Sequence, residues 1–265
     1  MFTFPHIDPV IFSLGPLQVR WYGLMYVLGF AASYFLVRRQ IAAFQLTNLE
    51  REFENLNLTM LICLVLGGRL GYVFFYNFSY YIQHPLEIMA TWQGGMSFHG
   101  GMLGVIGGGW LYCRRKNLNF LENADVYVVT IPIGLGLGRI GNFLNGELYG
   151  RVSDVPWAMI FPTGGPLARH PSQLYEALLE GLLLFVILWP LKKVQHTRKW
   201  PRGSMLALFL VLYGVFRCIV EFFREPDAHI GLMADTISRG QLLSVIMICA
   251  GLVLLAVVSR KKSFS

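Results

Sequence analysis

Residues 204–223 read SMLALFLVLYGVFRCIVEFF. Only two of these side chains, Arg217 and Glu221, are charged. A helix of this length rises about 30 Å, the thickness of the hydrocarbon core of a bilayer. The stretch is therefore expected to be a membrane-crossing helix. Its two charges stand four residues apart, on one helix face. An arginine near the centre of a span costs about 2.5 to 3.5 kcal/mol on insertion scales, so it marks either an internal ion pair or a functional contact.

Working outward, further apolar runs occupy residues 17–37, 58–76, 96–113, 124–142, 172–191 and 240–259. With 204–223 they make about seven transmembrane helices, an all-α polytopic membrane protein. Taking alternate loops as one set collects Arg38, Arg39, Arg51, Arg114, Arg115, Lys116, Lys192, Lys193, Arg198, Lys199, Arg202, Arg260, Lys261 and Lys262. Most of the positive charge thus falls on one side. Because Lys and Arg beside spans face the cytoplasm, the N terminus is expected outside and the C terminus in the cytoplasm. The loop from Asn77 to Gln93 has no Lys or Arg and carries Phe78, Tyr80, Tyr81 and Trp92, as expected of an interfacial segment. The only long outer loop, 143–171, is rich in Pro and Gly and reads as a small, turn-rich head. Residues 1–265 are thus expected to form a single transmembrane domain with that head on its outer, periplasmic face.

Composition agrees with this reading. Hydrophobic residues make up 55% of the chain and charged ones 14%, against roughly 25% charged in soluble domains. Mean hydropathy is +0.52. These values exclude disorder and a nucleic-acid-binding domain, although the net charge is +7. The four cysteines are widely separated, with no CxxC and no His partner at ligand spacing, so neither disulfides nor a metal site is expected. The first nineteen residues lack Lys and Arg, so the basic start of a cleavable signal peptide is missing and the first apolar run is expected to stay.

Three arginines, Arg69, Arg139 and Arg217, fall inside expected spans. One account is structural: Arg217 pairs with Glu221, and Arg69 snorkels or binds carbonyls. The other is a buried cationic pocket for an anionic head group, since guanidinium groups hold phosphate bidentately and stay charged. Arg139 favours the second account, lying in GRIGNFLNGELYG (138–150) with Asn142, Glu147 and Gly150 where a span leaves the membrane. His99 stands among glycine pairs at 94–95 and 100–101 and suits general-base work on a thiol or hydroxyl, or serves as an ordinary interfacial histidine. Tyr26 is a core tyrosine or a hydroxyl donor into the same cavity. Gly136, Gly138 and Gly141 match a dinucleotide fingerprint, but within an apolar span and without a strand before them, so no nucleotide cofactor is expected. Ser97 with His99 is no hydrolase elbow, because GxSxG needs Gly where His99 stands.

At these residues the chain resembles the bacterial prolipoprotein diacylglyceryl transferase family. The 138–150 run looks like the family signature. Arg20–Tyr26, Gly67–Tyr72, the His99-Gly100-Gly101 turn, Arg169–Glu176 and the Tyr213, Arg217, Glu221, Phe222 pattern resemble further family segments. The likeness covers nearly the whole chain, and none of these motifs departs from the family's pattern. It implies transfer of the diacylglyceryl group of phosphatidylglycerol to the lipobox cysteine thiol of a preprolipoprotein, leaving a thioether and releasing glycerol phosphate. That is the first step of bacterial lipoprotein maturation, at the outer leaflet of the cytoplasmic (inner) membrane. The partners it implies are phosphatidylglycerol, the preprolipoprotein signal peptide and the lipid bilayer, with no metal or cofactor. Carried over by position, His99, Arg139 and Arg217 are expected to be catalytic. Tyr26, Arg69, Asn142, Glu147, Gly150, Tyr213 and Glu221 are expected to hold substrate, with Glu147 and Glu221 orienting the arginines. The rival reading from another class is a transporter or channel for an anionic solute, which also uses intramembrane arginines and glycine-broken helices.

Overall fold

Without water to satisfy backbone N–H and C=O groups, an apolar run pairs them within its own segment, and nearly every such run in this chain is helical. The computed structural model describes residues 2–5, 7–15, 17–225 and 238–262. Its helices are α1 (Trp21–Phe44), α2 (Thr47–Tyr76), α3 (Phe78–Gln83), α4 (Phe98–Arg115), α5 (Phe120–Tyr127), α6 (Ile131–Leu144), α7 (Ser172–Glu176), α8 (Leu184–Thr197), α9 (Ser204–Glu221) and α10 (Arg239–Lys262). A π-helical stretch, Ala177–Leu183, joins α7 to α8, so Ser172–Thr197 is one helix of 26 residues. Strand is confined to β1 (Phe2–Thr3), β2 (Val10–Leu14), β3 (Leu17–Arg20) and β4 (Met159–Ile160).

Among the described residues, α2, the Ser172–Thr197 helix, α9 and Gly240–Arg260 of α10 are long and apolar enough to cross a membrane. The α5–α6 pair, bent by 44°, is a fifth if counted as one crossing. The fold is therefore all-α with four to five candidate spans, fewer than the seven expected. The two remaining runs also fold as helix, but polar and small residues dilute them. In α1 these are Trp21, Tyr22, Tyr26 and Tyr34; in α4 they are His99 and six glycines. The first run also begins later than expected, because Leu17–Arg20 pairs with Val10–Leu14 as a hairpin.

The chain forms two compact units, residues 41–123 and residues 1–40 with 124–265. In the 41–123 unit, α2 and α4 meet backbone to backbone. A Cβ on Gly67 would lie 2.4 Å from the Gly100 carbonyl oxygen, and one on Gly104 would lie 2.1 Å from that of Cys63. Small residues let membrane helices approach this closely. Several glycines of the 94–109 cluster are thus packing positions.

In the other unit, Val128, Val129, Leu184, Leu188 and Met205 form a buried core. Asp125 caps the start of α9, accepting from the backbone N–H of Gly203 at 2.7 Å and of Leu206 at 2.9 Å. This settles donors that a helix N-terminus leaves without partners. Helix α6 crosses the Ser172–Thr197 helix where Gly136 meets Gly181; a Cβ on Gly181 would come within 2.6 Å of the Gly136 Cα. That crossing sets Arg139, one turn on, against the acidic face of the π-helical segment. The 143–171 segment packs Phe143, Tyr149 and Phe161 with Phe4, the Phe4 and Phe161 centroids standing 5.3 Å apart. Parallel pairing of β1 with β4 ties it to the N-terminal segment.

Candidate active site

Arg139 on α6 and Arg217 on α9 converge on one carboxylate. Glu176 Oε2 lies 2.7 Å from Arg139 Nε and accepts from Arg217 Nη1 at 2.7 Å. Arg224 Nη1 approaches the same oxygen at 3.7 Å. Glu180, one turn on from Glu176, lies 3.4 Å from Arg217 and 3.9 Å from Arg139. Glu221 takes the other end of Arg217 at 3.2 Å, as its position four residues on anticipates. Both Glu176 and Glu180 are fully buried, whereas the arginine side chains keep 20% (Arg139) and 14% (Arg217) of their surface exposed. The anions form the floor and the guanidiniums reach outward.

The arrangement corrects the expectation of a cationic pocket. Among the described residues three arginines face three glutamates, so with every group ionised the cluster is formally neutral. It also corrects which acids orient the arginines. Glu221 does so, but Glu147 instead accepts from the Asn142 amide at 3.0 Å and the Asn145 amide at 3.1 Å. Glu176 and Glu180 take the role assigned to Glu147. Glu176 was legible only as the end of the 169–176 segment, and Glu180 not at all. The signal was present nonetheless, as two acids one turn apart inside an apolar run. Nothing in the sequence singled out Arg224.

Asn142 is buried near the end of α6, where Gly146 adopts a left-handed conformation (φ 65°) and stops the helix. The chain after it is held from α7. Gln173 Nε2 donates to the Glu147 carbonyl at 2.6 Å, and the Ser172 hydroxyl donates to that of Leu148 at 3.2 Å. Gly150 serves a packing need in this loop, since a Cβ there would stand 2.3 Å from the Phe223 carbonyl oxygen and 2.8 Å from the His170 Cβ. Beside it, Arg169 donates to the Gly164 carbonyl, pairs with Glu225 and lies over the Tyr149 ring. Burial pushes the His170 imidazole below its ordinary pKa, and its Nδ1 lies 3.1 Å from the Tyr175 hydroxyl. On α1, Tyr26 is half exposed, with its hydroxyl 3.0 Å from that of Tyr22. Tyr213, one turn before Arg217, stacks on Phe209 at 5.6 Å.

His99 and Arg69 belong to the 41–123 unit. His99 is exposed in the first turn of α4, which Ser97 caps by accepting from the Gly100 N–H at 3.2 Å, and its ring packs edge-on against Phe98. Arg69, expected among the substrate contacts, is buried with all five N–H groups spent on main-chain carbonyls. Nε donates to Ile88, Nη1 to Gly94 and Gly95, and Nη2 to Glu87 and Ala90. Its charge also lies 5.1 Å from the Tyr81 ring centroid. This is the carbonyl-binding account of Arg69: the side chain organises the 85–95 segment and keeps no donor for a lipid.

Apolar helices around a buried arginine–glutamate cluster define a helical membrane protein with a charged site in its interior. The prolipoprotein diacylglyceryl transferase family model matches residues 9–257. The chain is 61% identical over 255 residues to the phosphatidylglycerol–prolipoprotein diacylglyceryl transferase of Desulfotalea psychrophila, covering 96% of this chain and 94% of that one. It is 54% identical over 259 residues to the protein of the same name from Geobacter sulfurreducens, covering 98% of each. The chain belongs to the prolipoprotein diacylglyceryl transferase family.

Proposed function

We propose that the chain transfers the diacylglyceryl group of phosphatidylglycerol to the lipobox cysteine thiol of a preprolipoprotein, the first step of lipoprotein maturation. The observation that carries this reading is the convergence of Arg139 and Arg217 on Glu176. Sulfur attacks the glyceryl carbon bearing the phosphate; a C–S bond forms, the C–O bond to phosphate breaks, and charge builds on the departing glycerol phosphate. Donors fixed in place beforehand stabilise such charge most where water is scarce. Arg139 holds Nε 2.7 Å from Glu176 and keeps a fifth of its side-chain surface exposed, so a phosphate oxygen can be met from that exposed side. Asn142, with the loop that Gly150 lets close, positions the head group, and Tyr26 and Tyr213 line its approach. His99 takes the thiol proton.

The finer topology belongs to the same proposal. Seven crossings count α1 and α4 with the five candidate spans on the strength of their apolar runs, and the distribution of Lys and Arg supports an outer N terminus, a cytoplasmic C terminus and a head at 143–171 on the periplasmic side of a bacterial inner membrane. The phospholipid and the signal peptide then enter sideways between helices. The test is transfer from phosphatidylglycerol to a lipobox peptide. Arg139→Ala should abolish thioether formation while the protein still inserts, and Arg217→Lys should also fail, because an ammonium cannot bridge Glu176 and Glu221 as a planar fork does. Wild-type rates in both variants would refute the reading. For His99→Gln, an unchanged pH–rate profile would remove its assignment as base.

A further inference from the structure

We infer that Glu180 takes up a proton when a lipid phosphodiester joins the arginine cluster, so that anion binding and protonation of this one carboxyl are a single event. The inference rests on the proposed binding of phosphatidylglycerol at Arg139 and Arg217. Three guanidiniums already face three carboxylates. A phosphodiester adds a fourth negative charge, and an uncompensated charge in a low-dielectric setting is costly unless an acid beside it becomes neutral.

The three acids differ in how firmly the cluster holds them. Glu176 Oε2 has two guanidinium nitrogens at 2.7 Å. Glu221 accepts from the Ser238 hydroxyl at 2.8 Å and meets Arg217 at 3.2 Å. Each acid has one buried oxygen without a hydrogen-bond partner among the described residues, but Glu180 is fully buried and has the longest contacts, its arginines standing at 3.4 and 3.9 Å. Among the described residues the groups that face it are Arg139 from α6, Arg217 and Tyr213 from α9, and Glu176 from its own helix. One of its nearest charges is thus another carboxylate. When phosphate draws the guanidiniums toward itself, Glu180 loses the weakest of these pairings and keeps the repulsion of Glu176. The neutral acid also gains an O–H with which to donate to an acceptor-only phosphate. The proton arrives from solvent on binding and returns when the anion departs, so no bond to carbon is involved.

The experiment is calorimetric titration of the full-length protein with an ether-linked phosphatidylglycerol, in pairs of buffers with different ionisation heats. Wild type should take up about one proton per lipid bound, and affinity should fall about tenfold per pH unit on the alkaline side. Glu180→Gln should bind with no proton uptake and an affinity that does not change with pH. Infrared difference spectra of wild type give a readout that needs no variant: binding should add the carbonyl stretch of one protonated carboxyl, which the ether-linked lipid does not mask. Saturable binding without that band or without uptake overturns the role of Glu180 and leaves the lipid site standing, as does uptake retained in Glu180→Gln. Absence of saturable binding removes the lipid site and the inference with it.

Discussion

Replacing Glu176 by glutamine keeps the shape of the side chain and removes the negative charge at the point where Arg139, Arg217 and Arg224 meet. Two of those nitrogens stand 2.7 Å from one oxygen that is fully buried. At an effective dielectric of about 20, with charge centres about 4 Å apart, each such pair is worth about 4 kcal/mol of Coulomb attraction. Desolvation of the ions offsets part of this. Measured losses on removing one partner of a buried pair run at about 3 to 5 kcal/mol, because the remaining charges are left uncompensated. Glu176→Gln is expected to fall in that range, with Glu180 and Glu221 left to hold three arginines. The guanidiniums should then shift by about 1 Å or more, and a displacement of that size costs about 100-fold in rate. The assay is thioether formation on a lipobox peptide with phosphatidylglycerol, read beside resistance to denaturant. A variant within twofold of wild type in rate and unchanged in stability would refute the claim that this carboxylate sets the arginine geometry.

Three further outcomes are expected. Gly150→Ala should destabilise the protein by about 1 to 3 kcal/mol, since its Cβ meets the carbonyl oxygens of Phe223 and His170 and the His170 Cβ; denaturant midpoints check this, and an unchanged midpoint would show that the loop relaxes freely. Gly181→Leu should force α6 away from the Ser172–Thr197 helix and lower transfer by parting Arg139 from Glu176, whereas wild-type transfer would mean the crossing does not position the site. Arg69→Ala should free the 85–95 segment and bring proteolytic cleavage there, because five carbonyls lose their donors; a digestion pattern identical to wild type would refute its organising role.

How much was legible in the chain follows from how local each signal is. A run of apolar residues states its own secondary structure, and α9 and α10 lie where hydropathy places them, whereas α2 begins at Thr47, well before its apolar run at 58–76. The pairing of Arg217 with Glu221 was readable as well, because four residues along a helix is a fixed geometry. The start of α1 was not, since Leu17–Arg20 alternates apolar and polar residues and finds a strand partner in Val10–Leu14. Glu147 was misjudged for a similar reason: its neighbours in sequence suggested an arginine, yet the turn at Gly146 folds it back onto Asn142 and Asn145.

By itself the sequence determined a helical membrane protein with arginines set in apolar helices and so requiring partners. Local composition and spacing carry that much, because desolvation makes every buried charge conspicuous wherever it occurs. Which partners they take was decided by tertiary structure alone. Glu176 and Glu180 come from a helix whose meeting with α6 depends on two glycines 45 positions apart, Gly136 and Gly181. A contact between distant backbones leaves no periodic trace in the chain, and it is that contact which turns isolated arginines into one charge-balanced cluster.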